Sequence, residues 1–153
     1  LGDLEEAVKL DREALELRPE PNANRAGSLH HLAFVLSSRF KHSGDLGDLE
    51  EAVKLGREAL VLRPEPNGDR AGSLYNLAFV LASRFKHSGD LGDLEEAVKL
   101  GREVLELRPQ PNADRARSLE NLALDLVGRF KNGGHLRDLE EAIHFNREAL
   151  VLR

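Results

Sequence analysis

The chain has 153 residues and a formal net charge of −5, with acids and bases interspersed throughout, so it offers no basic patch for nucleic acid. No apolar run approaches the roughly 18 residues a membrane span needs, and no charged-then-apolar leader opens the chain. Cysteine is absent, which excludes disulfides and thiolate chemistry and leads us to expect an intracellular, cytoplasmic protein.

Residues 1–18 read as a helix. Asp3 is placed to cap it, and Glu6, three residues on, completes a capping box. Acids at its start and Arg18 at its end suit the helix dipole, and Glu5 and Lys9 stand four apart in the favourable order. Leu4, Ala7, Val8, Ala14 and Leu15 recur at helical spacing, and Pro19 and Pro21 stop the run. We term this type the B helix. A second helix, type A, begins at Asn22 or Asn24 and presents Ala26, Leu29, Leu32, Ala33, Leu36 and Phe40 on one broad face. It runs to about His42, roughly 28 Å in length, where Ser43-Gly44 supplies a left-handed stop. The same pattern places further B helices at about 48–63, 93–108 and 138–153, and further A helices at about 69–87 and 114–132. Every loop is short and carries Gly or Pro, so consecutive helices should be antiparallel neighbours. No strand pattern occurs.

The elements recur because the sequence does. Asp48-Leu49-Glu50-Glu51-Ala52-Val53-Lys54-Leu55 returns at 3–10, unchanged at 93–100, and at 138–145 with Ile143, His144 and Phe145 at its end. The starts are 45 residues apart, and such a period marks a solenoid in which each unit contacts mainly its neighbours. The expected fold is therefore all-α, an α-solenoid of antiparallel helix pairs with seven helices. It would form one array over 1–153: a half repeat at 1–18, then pairs at 19–63, 64–108 and 109–153. Methionine is absent even at position 1, and the chain starts mid-repeat, so it reads as a piece of something longer.

Asn76-Leu77-Ala78 in an A helix and Gly89-Asp90 after it carry a resemblance, together with Ala52, Ala59 and Pro64 and their counterparts Ala97, Val104 and Pro109. In these residues the chain resembles the tetratricopeptide family, and the resemblance covers the whole chain. It implies a right-handed superhelix. The usual period is about 34 residues; here two extra turns around Ser83-Arg84-Phe85-Lys86 lengthen the A helix. The wording Asp-Leu-Glu-Glu-Ala with Leu-Arg-Pro is similar to the long-period arrays of fungal multidomain proteins. There the array follows a nucleotide-binding signalling domain or accompanies a caspase-like domain, which implies a context and not an activity. Where the family usually has an aromatic residue in the B helix, this chain has Asp11, Gly56, Gly101 or Asn146, which should loosen B-helix packing.

Candidate chemistry is sparse. His30 and His31 are adjacent, hence about 100° apart around a helix, a poor arrangement for chelating one ion. His42 and His87 occupy equivalent positions, but no third ligand recurs beside them, so no metal is expected. Glu50-Glu51 belongs to a repeated helix start, unlike the carboxyl pair across a cleft that glycoside hydrolysis needs. The run Ser43 to Asp48 reads as a helix–helix turn, with Asp48 at the next cap, and no phosphate loop or nucleophile elbow occurs. We therefore expect no cofactor and no enzyme. Arg39, Arg84 and Arg129, each followed by Phe, are identical across units, which suggests packing, with the Arg pairing a neighbouring Asp or Glu.

The resemblance implies that A helices line a concave face and that their variable positions touch a ligand. Those positions are His30, Tyr75 and Glu120; His31, Asn76 and Asn121; and Ser37, Ala82 and Val127. Phe34, Phe79 and Leu124 lie one turn from the first set, and Tyr75, the sole tyrosine, suits an exposed anchor. Asn76 and Asn121 match the asparagine of the family's clamp on a peptide C-terminal carboxylate. The accompanying lysines are missing, with Gly72, Tyr75, Arg117 and Glu120 nearby instead, so that clamp is not expected. The expected function is a protein-interaction scaffold holding a peptide or protein surface, without nucleic acid or membrane. The alternative is a structural spacer that self-associates through terminal helices whose apolar stripes lie uncovered.

Overall fold

The computed structural model describes residues 2–19, 24–64, 68–109 and 113–153. Among the described residues there are seven α-helices and no strand. The B helices are α1 (Gly2–Glu16), α3 (Leu46–Val61), α5 (Leu91–Leu107) and α7 (Leu136–Leu152); the A helices are α2 (Arg25–Ser43), α4 (Arg70–Ser88) and α6 (Arg115–Gly133). The chain is thus an all-α solenoid of helix pairs, as its periodicity implies. Asn24 occupies the N-cap of α2 without a side-chain cap bond, whereas Leu1, Pro21 and Asn22 lie outside the described residues.

Each of the three A helices is closed the same way. Gly44, Gly89 and Gly134 adopt φ of 72°, 74° and 73°, a conformation cheap only for glycine. Their N–H groups donate to the carbonyls of Phe40, Phe85 and Phe130 at 2.7, 2.8 and 2.7 Å, closing each A helix. The next B helix starts earlier than the cap reading of Asp48 required. Asp45 and Asp90, in extended backbone, accept from the N–H groups of Gly47 and Gly92 at 2.9 Å and are the true caps. Asp3, likewise, lies inside the first turn of α1, so its capping box with Glu6 is not the start of that helix.

Asp48 is freed for another role. Arg39, Arg84 and Arg129 each grip Asp48, Asp93 and Asp138, respectively, through two parallel bonds. Nε donates to Oδ2 at 2.9, 2.8 and 3.0 Å, and Nη2 to Oδ1 at 2.8 Å in all three. The carboxylates are only 4–5% exposed, so the guanidinium is what makes their burial tolerable. The repeated Arg therefore does pair with a neighbouring Asp.

At the B-to-A junction a different arginine satisfies the carbonyls that every helix C-terminus leaves open. Nη1 of Arg25 donates to the carbonyls of Leu15 and Arg18, that of Arg70 to Leu60 and Arg63, and that of Arg115 to Leu105 and Arg108, at 2.9–3.3 Å. Arg18, Arg63 and Arg108 in turn donate to Ser28, Ser73 and Ser118 at 2.7, 2.9 and 3.0 Å.

Two compact units divide the chain, Leu1–Val80 and Leu81–Arg153, the boundary falling inside α4. In the first, α2 packs against α1 and α3, and Leu29, Leu32, Leu36, Leu49, Val53 and Leu74 are fully buried. In the second, α6 packs against α5 and α7, with Val98, Leu122, Ala123, Leu126 and Ala142 in one cluster and Ala116, Leu119 and Ala149 in another.

The glycines that replace the expected aromatic do not loosen this packing. A Cβ at Gly56 would stand 3.2 Å from Leu77 Cδ1, and one at Gly101 3.1 Å from Leu122 Cδ1. A leucine of the facing A helix fills the volume from the other side. We expect Gly101→Leu to cost about 1–3 kcal/mol through overpacking, read as a lower denaturation midpoint. An unchanged midpoint would mean that Leu122 has free room to move.

Candidate functional site

The site lies in the first unit, where α2 and the first half of α4 flank α3. Residues 30, 34, 37, 38 and 41 recur every three or four positions and so share one face of α2; 75, 76, 79 and 80 do the same on α4. Beneath them α3 presents only small side chains, Ala52, Gly56 and Ala59. The outcome is a cleft of about 200 Å³. Phe34 and Phe79, 58% and 41% exposed, stand at its mouth, while Ala33, Leu77 and Val80 are buried along it.

Its polar groups are few and arranged. Asn76 Nδ2 lies 2.8 Å from His30 Nε2 and donates to it. That bond needs a neutral imidazole, and burial lowers the His30 pKa, helped by the charges of Arg63 and His31 against the opposing pull of Asp69. Lys41 Nζ sits 5.3 Å from the centre of the Phe79 ring, a cation–π contact. Among the described residues Lys41 pairs with no carboxylate, and no acid lines the cleft.

The positions anticipated from sequence divide accordingly. His30, Phe34, Ser37, Tyr75, Asn76 and Phe79 all line this cleft. Ser37 is buried, 7% exposed, and belongs to its wall. Tyr75 is half-buried, so the protruding aromatics are the two phenylalanines. His31 turns away, its Nδ1 2.7 Å from Asp11 Oδ2 on α1, as the angle between adjacent helical residues requires. The remaining positions lie in the second unit. Glu120 is held by Arg153 through two bonds of 2.7 and 2.8 Å, which keep its carboxyl below the usual range. Leu124 is 68% exposed, Ala82 and Asn121 are half-buried, and Val127 packs against the α6–α7 cluster. Lys41 was missed, although its spacing from Phe34 and Ser38 was enough to place it on the same face.

A second group escaped the sequence reading. Asp125 occupies the α6 position where α2 and α4 bury Val35 and Val80. Burial pushes its carboxyl pKa up to about 7, only partly opposed by Lys86. Near the start of α7, a depression of about 400 Å³ brings together Glu95, Arg129, His135, Arg137 and Asp138. Its charges are mixed, and Arg129 and Asp138 are spent on each other, so it presents less to a ligand than the apolar cleft. Among the described residues, no group of three His, Cys, Asp or Glu could hold a metal ion, and no helix is long and apolar enough to cross a membrane.

Comparison with known proteins agrees with this architecture. Residues 25–64 and 70–112, more than half of the chain, match the tetratricopeptide repeat. Curated proteins yield no match. Among solved structures, one described as "DHF58 filament" is similar, with 24% identity and a TM-score of 0.54 over 97% of this chain and 80% of that one. A de novo designed helical repeat protein, DHR64, aligns with 26% identity and a TM-score of 0.44 over 97% and 79%. The first of these likenesses speaks to the helical-repeat fold alone. The matched segments, the 45-residue period and the alternating A and B helices together place this chain in the tetratricopeptide repeat family.

Proposed function

We propose that the chain is a non-catalytic protein-interaction scaffold, a single array over 1–153 whose A-helix faces hold a peptide or protein surface. The cleft between α2 and α4 is its centre in the first unit. The observation that carries this reading is that Phe34 and Phe79 are both exposed and both line one apolar cleft. Exposed large apolar groups around a pocket suit anchor contacts, and a cleft set between packed helices avoids the cost of ordering on binding. In the second unit, considered by itself, α6 carries the half-buried Asn121 and the exposed Leu124. Glu120 also faces outward, its carboxylate already engaged with Arg153.

A displayed peptide library tests the reading. Selection on the native array, set against selection on a Tyr75→Ala/Phe79→Ala variant, is expected to enrich peptides that bind the first at least ten times more tightly. No enrichment over the variant would remove the A-helix face from consideration. A second reading, self-association through the terminal helices, has its own support: Ile143 on α7 is 44% exposed, whereas Val53 and Val98 at the same repeat position are 2% exposed. Light scattering over a hundredfold concentration range decides it, since a constant monomer mass excludes it.

A further inference from the structure

Resting on the self-association reading, the surface of α7 selects one partner and one orientation. We propose that α7 pairs with α7 of a second copy of this chain, the two helices running antiparallel about a twofold axis beside Ile143. The face comes first. Leu136, Leu139, Ile143 and Leu150 recur at spacings of three, four and seven and form one stripe along the helix. Leu136, Ile143 and Leu150 are 60%, 44% and 73% exposed. This stripe is not the side turned to α6, since Ala142 and Ala149 fill that contact. On α3 and α5 the same stripe is covered: Leu49, Val53, Leu94 and Val98 are at most 2% exposed. Helix α7 therefore presents to water a set of apolar side chains that is buried elsewhere in this chain.

Charge then selects the occupant. Glu140 and Arg147 are both exposed, and among the described residues neither has an ion-pair partner. They stand seven apart, two turns of helix, so both flank the stripe on the side away from Ala142 and Ala149. Their midpoint lies beside Ile143, and so does the midpoint of Leu136 and Leu150. An antiparallel copy turned about that point sets Glu140 of each chain level with Arg147 of the other, giving two ion pairs. It also lays Leu150 of each against Leu136 and Leu139 of the other. A parallel copy would instead set Glu140 level with Glu140 and Arg147 level with Arg147. The face is thus complementary to itself in one orientation, as a twofold interface requires. Pairs of the same kind already join B helices within the chain, Arg12 to Glu51 at 2.8 Å and Arg102 to Glu141.

The test is light scattering of the 153-residue chain, from micromolar to millimolar concentration, at a salt level of about 0.15 M. One helix pair makes a small interface, so a dissociation constant of about 10–100 μM is expected. Glu140→Arg and Arg147→Glu, both at exposed positions, should each weaken the dimer about tenfold, because each change turns two attractive contacts into repulsive ones. Circular dichroism checks that the helices are kept. Mixed in equal amounts, the two variants should form a heterodimer of native affinity, since every pair is again opposite in sign. The double variant Glu140→Arg/Arg147→Glu should recover in the same way. A dimer untouched by either single change overturns the α7 pairing while self-association stands. Weakening that neither the mixture nor the double variant reverses overturns the antiparallel arrangement. A constant monomer mass at every concentration overturns the proposal and the self-association reading together.

Discussion

Replacing Arg129 by alanine is expected to lower stability by about 2–4 kcal/mol. Asp138, 5% exposed, would be left without the guanidinium that holds both its oxygens at 2.8 and 3.0 Å. Breaking a fully buried pair from one side costs about 3–5 kcal/mol; the lower figure here allows for the edge of Arg129 that still reaches water. Helix α7 packs on α6, so the loss should be concentrated at the α6–α7 pair. Urea denaturation gives its size, and faster hydrogen exchange of the α7 amides gives its place. Removing both partners, as Arg129→Met/Asp138→Leu, should cost less than removing the arginine alone, because no charge is then stranded. A double variant as unstable as Arg129→Ala would contradict this account.

The same pair predicts an acid limb. The Asp138 carboxyl is held below its ordinary range, chiefly by the hydrogen bond from Arg129. A carboxylate depressed in the folded state contributes stability above its unfolded pKa, and that contribution disappears as pH falls through the folded value. The native array should therefore lose stability below about pH 4, and Arg129→Ala should lose less over that interval.

Asp125→Val is expected to act in the opposite direction, stabilising the array by about 2–4 kcal/mol at pH 8. The carboxyl pKa rises from 3.8 to about 7 on folding, so the burden is the ionised form in a half-buried place. Each pKa unit corresponds to about 1.4 kcal/mol, which sets about 4 as the upper end. The burden is fully present above the folded pKa and shrinks as pH falls below 7, because the folded state then takes up the proton first. By pH 4 it should have dropped below ~1 kcal/mol. Valine already fills this repeat position at Val35 and Val80, 5% and 4% exposed, so its shape is accommodated. Midpoints of urea denaturation at pH 8, 6 and 4 check the prediction. A gain that does not change with pH would assign the effect to packing, and no gain at pH 8 would mean that Asp125 finds water when ionised.

Local chemistry made some features legible and hid others. The stops at Gly44, Gly89 and Gly134 were readable because a left-handed residue at a helix end calls for glycine whatever surrounds it. The cap was misplaced by three residues because Asp45 and Asp48 are equally good caps by composition. What separates them is Arg39, which draws Asp48 inward and leaves Asp45 at the end. Gly56 and Gly101 looked like gaps, since the leucines that fill them come from another helix. Of the anticipated face, His30 and Asn76 proved to be partners across two A helices, whereas His31, one residue on, joined Asp11 instead.

The period of 45 residues, the all-α class and the helix order were determined by the sequence alone, because they rest on spacing and local stereochemistry that recur in every unit. Which variable residues meet around one cleft, that Lys41 lines it, that the repeated Arg pairs with the Asp at 48, 93 and 138, and that Asp125 is half-buried were decided only by tertiary structure. Burial and contact between helices depend on rotation and separation, which no single helix encodes.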